Sequence, residues 1–389
     1  MDKEINDLIK KEKKRQEGVI NLIPSENYAS EEVLKALGSV LTNKYSEGYP
    51  EKRYYQGNKF VDEIETLAIE RAKKLFDVPH ANVQPYSGSI ANLAVYFALM
   101  KSGETLMGMS LSAGGHLTHG ANVTISGTNY KSVQYGVGKE GYIDYDEVEG
   151  LAMEQRPKVI VCGATAYPRI IDFEKFGEIA DKCEAYLLAD ISHIAGLIVG
   201  GVHPSPVSFS HIIMTTTHKS LRGPRGAILM VTEKGLKKDP DLAKKIDRAV
   251  FPGLQGGPHD NVTAAIAVCL KEASGPSFKE YVKQVVANAK ILSEELIRGG
   301  LTLVSGGTDN HLMLVDLRPQ NLSGKDVAEA LEKEGIIVNK NTIPFETGSP
   351  FNPSGVRLGT PAVTARGMKE KEMKEIAGKI LRVIEENKK

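Results

Sequence analysis

The chain has 389 residues, 41% of them hydrophobic and 25% charged, an ordinary globular composition with room for two domains. Its 49 Lys+Arg and 49 Asp+Glu cancel, so no net field draws it to nucleic acid or to an anionic membrane surface. Three scattered cysteines, Cys162, Cys183 and Cys269, argue against a disulfide framework and fit a reducing compartment. No apolar run reaches the roughly 20 residues of a membrane span, and the N-terminus is charged from Asp2 with no apolar signal core. The expectation is a cytoplasmic protein without nucleic-acid or membrane partners.

In chain order, residues 2–17 mix both charge signs and predict an exposed helix. Ser30, followed by Glu31 and Glu32, predicts a helix start, with Val33, Leu34, Leu37 and Leu41 as its apolar face. Residues 45–57 (YSEGYPEKRYYQG) pack four tyrosines among Gly, Pro and both charges. That is poor helix or strand material and predicts a loop at a site or an interface. From residue 60 to about 265 helical and strand patterns alternate. Helices are expected over 62–76, 89–100 and 173–183, and strands over 159–163, 186–189 and 212–217. Strand–helix–strand at this spacing means parallel crossovers, hence an α/β sheet covered on both faces. Beyond about 265 the pattern becomes a long helix over 278–298, a strand over 311–317, a helix from 324 started by Ser323 and Asp326, strands near 336–338 and 356–358, and a last helix from 369. The expected division is an N-terminal helical arm (1–45), a large α/β domain (46–265) and a smaller α+β domain (266–389).

Ligands of open α/β sheets sit at the carboxyl ends of the strands. Here three successive strand ends deliver Thr165, then Asp190 and His193, then His218 and Lys219. A lysine amine can form a Schiff base with an aldehyde cofactor. A nearby carboxylate can keep a pyridine nitrogen protonated and so make the ring an electron sink. Ser87-Gly88-Ser89, opening a helix, offers hydroxyls, backbone N–H groups and a helix dipole to a phosphate. The ordered set (Ser-Gly-Ser before a helix, Asp-x-x-His, then His-Lys after a threonine run) points to pyridoxal phosphate. Other chemistries lack their signatures. There is no G-x-x-x-x-G-K-[ST] loop, no G-x-G-x-x-G after the first strand, no H-E-x-x-H or other metal spacing, and no G-x-S-x-G elbow.

Across essentially its whole length the chain resembles serine hydroxymethyltransferase, a pyridoxal-phosphate family of the aspartate-aminotransferase fold type (fold type I). The resemblance is carried by LIPSENYAS (22–30), LTNKYSEGYPEKRYYQG (41–57), NVQPYSGSIAN (82–92), GGHLTHG (114–120), DISHIAGL (190–197), TTTHKSLRGPRG (215–226), FPGLQGGP (251–258), SGGTDNHL (305–312), VNKNTIP (338–344) and GVRLGTPA (355–362). It implies that Lys219 holds the cofactor as an internal aldimine, with Asp190 on the pyridinium nitrogen, His116 stacked on the ring, and His193 and Thr165 near the phenolic oxygen. Ser87, Gly88 and Ser89 would hold the phosphate, joined across a dimer interface by Tyr45 and Gly257. Thr216 and His218 would complete the cofactor site.

Arg357 would clamp the amino-acid carboxylate, helped by Ser25, His193 and the partner's Tyr55. Arg225 would support the lysine loop from behind. Glu47 would be the acid–base group beside the serine hydroxyl and the folate. With Glu47, Tyr54 and His116, the residues Leu111, Gly115, Leu117, Asn341, Ser349, Pro350 and Phe351 match folate-binding positions. The implied reaction is serine plus tetrahydrofolate giving glycine plus 5,10-methylenetetrahydrofolate, in a homodimer or tetramer. Thr165 stands where the family commonly has serine, Tyr86 where histidine is frequent and Pro24 where alanine is; none removes an assigned group. The chain also ends sooner than the family's usual last segment, again without losing an assigned residue. Two alternatives stand beside this expectation: a folate-independent threonine or allo-threonine aldolase, which needs Lys219, Asp190 and Arg357 but not the folate positions, and a catalytically idle homologue with a binding role.

Overall fold

The computed structural model describes residues 2–388. Its central feature is a seven-stranded sheet of β1 (His80–Asn82), β2 (Thr105–Met109), β3 (Lys131–Tyr135), β4 (Val159–Cys162), β5 (Tyr186–Asp190), β6 (Ile212–Thr216) and β7 (Ala227–Val231). The spatial order is β1-β7-β6-β5-β4-β2-β3. Only β7 runs against its neighbours, β1 and β6; the remaining pairs are parallel. This is the mostly parallel sheet of fold type I.

Alternation along the strands builds two cores, one on each face. Ile160 and Cys162, with Leu187, Ala189 and Ile213, pack on one side. Val159 and Val161, with Leu188, Ile212 and Met214, pack on the other. A strand buried on both faces reads as a continuous apolar run, which is why VIVC and YLLA are visible in the sequence.

Most expected elements are present: helices Lys3–Gly18, Lys59–Phe76, Gly88–Leu99 and Phe173–Lys182, and, later, Pro276–Arg298, Gly324–Lys333 and Glu370–Glu386. Ser30 and Ser323 cap their helices by accepting from Val33 and Asp326 N–H. Two readings need correction. The stretch 45–57 is not wholly irregular: Gly48–Tyr49 and Lys52–Arg53 form a short antiparallel hairpin, turned by residues 50 and 51 with Glu51 in the left-handed region. Leu34 is not part of a buried face, being 56% exposed, and that helix ends at Leu37. Sequence periodicity also passes over β1, β2, β3 and β7.

A third core lies around a four-stranded antiparallel sheet of Thr302–Leu303, Leu312–Asp316, Gly355–Gly359 and Asn339–Asn341. Helix Pro276–Arg298 joins the two bodies. Its Phe278, Tyr281, Val282 and Val285 belong to the large-sheet core, and its Ala289, Leu292 and Leu296 to the small one. The N-terminal segment reaches the small core too, through Leu22 and the parallel pairing of Ile20–Asn21 with Ile336–Ile337.

Candidate active site

The carboxyl ends of β4, β5 and β6 open into a cavity of about 340 Å³. It is lined by Ser25, Ser87, Gly88, Ser89, His116, Thr165, Asp190, His193, Thr216, His218, Lys219, Arg225 and Arg357, together with Glu26, His119 and Ser192. Two glycines let the elements close on it. Gly163, just beyond β4, has φ +142°, and a Cβ there would meet the Asp190 carbonyl oxygen at 2.1 Å. A Cβ on Gly88 would meet Thr216 Cγ2 at 2.7 Å. The helix that begins at Gly88 is thereby seated against β6 with its N-terminus at the cavity, capped by the Ser87 side chain.

Asp190 is 6% exposed. Its Oδ2 accepts from Asn92 Nδ2 and His119 Nε2, both at 3.0 Å, and its Oδ1 accepts from Ser192 N–H at 3.1 Å. The His116 N–H donates to His119 Nδ1, which leaves the His119 proton on Nε2, facing the carboxylate. Burial alone would raise the Asp190 pKa, but the hydrogen bonds from His119 and Ser192 outweigh it and hold the carboxyl well below its usual range. A carboxylate kept ionised here fits the protonated nitrogen of a pyridine ring.

Lys219 follows β6, and its carbonyl is held by Asn27 Nδ2 at 3.0 Å. Burial, opposed by Asp190 and aided by Arg357 and Arg225, lowers its amine to about 8. Among the described residues nothing hydrogen-bonds that amine, so it is poised as a nucleophile. Arg357, 6% exposed, donates from Nη1 to the Thr165 carbonyl at 2.6 Å and from Nε to Asn339 Oδ1 at 3.1 Å. Among the described residues no carboxylate pairs with it, and burial lowers its pKa to about 10. A buried guanidinium whose partners are neutral is a receptor for an anion.

His116 is kept neutral, its pKa lowered to about 4 chiefly by burial. His193 is likewise pushed well below its usual value by burial, and its Nδ1 lies 3.1 Å from His311 Nε2. Three buried polar atoms around this cavity, Thr216 Oγ1, His218 Nδ1 and His193 Nε2, have no hydrogen-bond partner among the described residues. Orphaned groups of this kind are what a polar ligand satisfies. Arg225 borders the cavity and is exposed, rather than lying behind it as the sequence suggested.

A second pocket of about 700 Å³ adjoins the first and shares His116 and Thr165 with it. Leu111, Gly115, Leu117, Asn341 and Pro350 line it. Ser349 and Phe351 do not, and Phe351 is 83% exposed. Tyr45, Glu47, Tyr54, Tyr55 and Gly257 line neither pocket. They gather elsewhere on the chain. Tyr55 Oη donates to Glu47 at 2.9 Å, Tyr45 packs edge-on to Tyr55 and lies against Gly257, and the Gly257 carbonyl accepts from Tyr86 Oη at 2.6 Å.

The sequence reading assigned no role to His119, Asn92, Asn27 or Asn339. Only GGHLTHG carried a hint, a second histidine three residues after His116. Among the described residues no group of three His, Cys, Asp or Glu is arranged to hold a metal ion, and no helix is long and apolar enough to cross a membrane.

Comparison with known proteins agrees along the chain. The family model described as serine hydroxymethyltransferase matches residues 1–380. A serine hydroxymethyltransferase of Acidothermus cellulolyticus is 61% identical over 377 residues, 97% of this chain and 87% of that protein. One of Desulfotalea psychrophila is 55% identical over 383 residues, 98% of this chain and 88% of that protein.

Proposed function

This chain belongs to the serine hydroxymethyltransferase family, and from that premise we propose how its residues carry the reaction. The activity is the reversible conversion of L-serine and tetrahydrofolate to glycine and 5,10-methylenetetrahydrofolate, a pyridoxal-phosphate-dependent one-carbon transfer. One observation carries the residue assignment. A single cavity brings an unpartnered lysine amine, an ionised aspartate and an unanswered buried arginine to the same strand ends.

Pyridoxal phosphate, when bound, supplies the electron sink into which a broken bond at Cα delivers its pair. Lys219 would hold it through Nζ. Asp190, oriented by His119, would keep its ring nitrogen protonated. Ser87, Gly88 and Ser89 receive the phosphate at the helix N-terminus. Thr216 Oγ1 and His218 Nδ1 are free to bond it. His116, a neutral imidazole on the cavity wall, would meet the ring, and Thr165 and His193, which line the same cavity, would complete its surroundings. Arg357 grips the substrate carboxylate with a two-pronged fork that a lysine could not reproduce, aided by Ser25. Holding that carboxylate fixes which Cα bond is aligned for cleavage.

Tetrahydrofolate takes the adjoining pocket against Leu111, Gly115, Leu117 and Asn341. The folate-free aldolase reading is not favoured, because such an enzyme has no use for a second pocket opening on the same histidine. Glu47 moves the proton at the serine hydroxyl and the folate, with Tyr55 on its carboxylate and Tyr54 beside it.

The cluster of Tyr45, Glu47, Tyr55 and Gly257 serves the site of a second copy in a homodimer with shared active sites, which can pair further into a tetramer. Exposed Tyr45, Tyr54, Tyr55, Phe60, Phe97 and Leu254 support an interface there. The division of the chain follows the same reading: an N-terminal arm, a large cofactor domain and a small C-terminal domain, with the core changing over inside helix Pro276–Arg298.

The test is spectroscopic. Protein loaded with pyridoxal phosphate is expected to show a visible band, and glycine with tetrahydrofolate to raise a longer-wavelength band that glycine alone does not. Lys219→Gln is expected to bind the cofactor without turnover. A response to glycine that ignores tetrahydrofolate would remove the folate half of the assignment. Full activity in Lys219→Gln would remove the cofactor half.

A further inference from the structure

The tyrosine-rich hairpin is anchored by a buried polar network that no part of the cofactor cavity requires. Arg53 is its centre, its side chain 3% exposed. The guanidinium Nε pairs with Asp62 Oδ1 at 2.9 Å and Nη2 with Glu65 Oε2 at 2.6 Å. Nη1 donates to two backbone carbonyls, those of Ser46 at 2.9 Å and Gly48 at 2.8 Å. Those carbonyls flank Glu47. Gln84 Nε2 adds a second donor to the Gly48 carbonyl at 2.9 Å and also bonds Glu65. Ser46 is tied by its hydroxyl to Asp260 at 2.6 Å, and the Glu47 carbonyl accepts from Tyr54 N–H at 3.0 Å. Gly48 has φ +100°, and a Cβ there would meet the Lys52 carbonyl oxygen at 2.3 Å, so this turn admits no other residue easily.

Every backbone carbonyl from residue 46 to 48 is therefore fixed, while the Glu47 side chain extends from the anchor to Tyr55 and the edge of Gly256. Stability alone does not call for such a network. Burying an Arg–Glu pair costs desolvation that apolar side chains of similar volume avoid. What the fork provides is geometry: two carbonyls on one nitrogen and two carboxylates on the others. A lysine keeps the charge but offers a single point of attachment.

We propose that Arg53 is a positioning residue for the reaction, locking the backbone on both sides of Glu47 so that its carboxylate is presented at a fixed place. The proposal rests on the acid–base role of Glu47 given above. It assigns no contact between Arg53 and any substrate.

The test is a double-mutant cycle on cofactor-loaded enzyme, using Arg53→Lys, Glu47→Gln and the pair. Thermal melting and cofactor absorbance confirm that each variant is folded and loaded. Arg53→Lys is expected to lower kcat for folate-dependent serine cleavage about tenfold, with KM for serine within about twofold. In the Glu47→Gln background the same substitution is expected to change the residual rate by less than about twofold, because the group it positions is already gone. An equal loss in both backgrounds overturns the proposal, since Arg53 would then act without Glu47. A Glu47→Gln enzyme as active as the parent overturns the role of Glu47 itself, and the clamp falls with it. Should Arg53→Lys fail to fold, Gln84→Met removes the other donor to the Gly48 carbonyl and is judged by the same non-additivity.

Discussion

At Lys219 burial brings the amine down to about 8 from its ordinary 10.5, and this has a direct kinetic consequence. Only the neutral amine attacks an aldehyde. Below the shifted pKa the neutral fraction gains about tenfold per pH unit, and above it the gain stops. The rate at which cofactor-free protein takes up pyridoxal phosphate is therefore expected to climb to about pH 8 and then level off, measured by stopped-flow absorbance. A rise continuing towards 10.5 would show that the amine is not desolvated. The neighbouring residues explain what a sequence reader can find here. Asp190 and Lys219 stand at the ends of apolar strands and announce themselves. His119, Asn92 and Asn27 act through single hydrogen bonds to partners far along the chain, and no local pattern marks them.

Among the elements, helix Lys3–Gly18 buries none of its side chains. Its C-terminal end is held instead by Arg366, whose guanidinium donates to the carbonyls of Gln16, Glu17 and Val19. Unpaired carbonyls and the negative end of the dipole make that end a cation site. Arg366→Ala is expected to speed amide exchange across residues 3–18 several-fold while leaving the central strands unchanged, measured by hydrogen–deuterium exchange. Equal exchange in both proteins would mean that the guanidinium is ornamental. The charge pattern announces this helix but not its clamp, because Arg366 lies at the other end of the chain. Strand direction is hidden in the same way. AILMV in β7 and VIVC in β4 are both apolar throughout, yet one is antiparallel to its neighbours and the other parallel, and burial on both faces erases the distinction. The hairpin at 48–53 escaped because a two-residue strand has no room for a period.

For the molecule as a whole, the spatial separation of two residue sets is the decisive feature. Lys219, Asp190 and Arg357 share a cavity that Tyr45, Glu47 and Tyr55 do not line, which is the geometry expected if the second set serves a second copy. Lys219→Gln and Tyr55→Ala chains, refolded together, are expected to recover about a quarter of the parent activity through hybrids with one intact site. No recovery in verified hybrids would mean that one chain builds its own site. Some of this was determined by sequence alone. Hydrophobic period set strands β4, β5 and β6 and several of the helices, and the order of polar residues after apolar runs, together with the long motifs, pointed to the chemistry and the family. Those signals are local, and local order survives in one dimension. Tertiary structure decided which carboxylate His119 faces, that Arg357 meets no anion of its own, that Arg53 grips the backbone around Glu47, and where one core yields to the next inside a continuous helix. Each of these depends on distances between residues that only folding brings together.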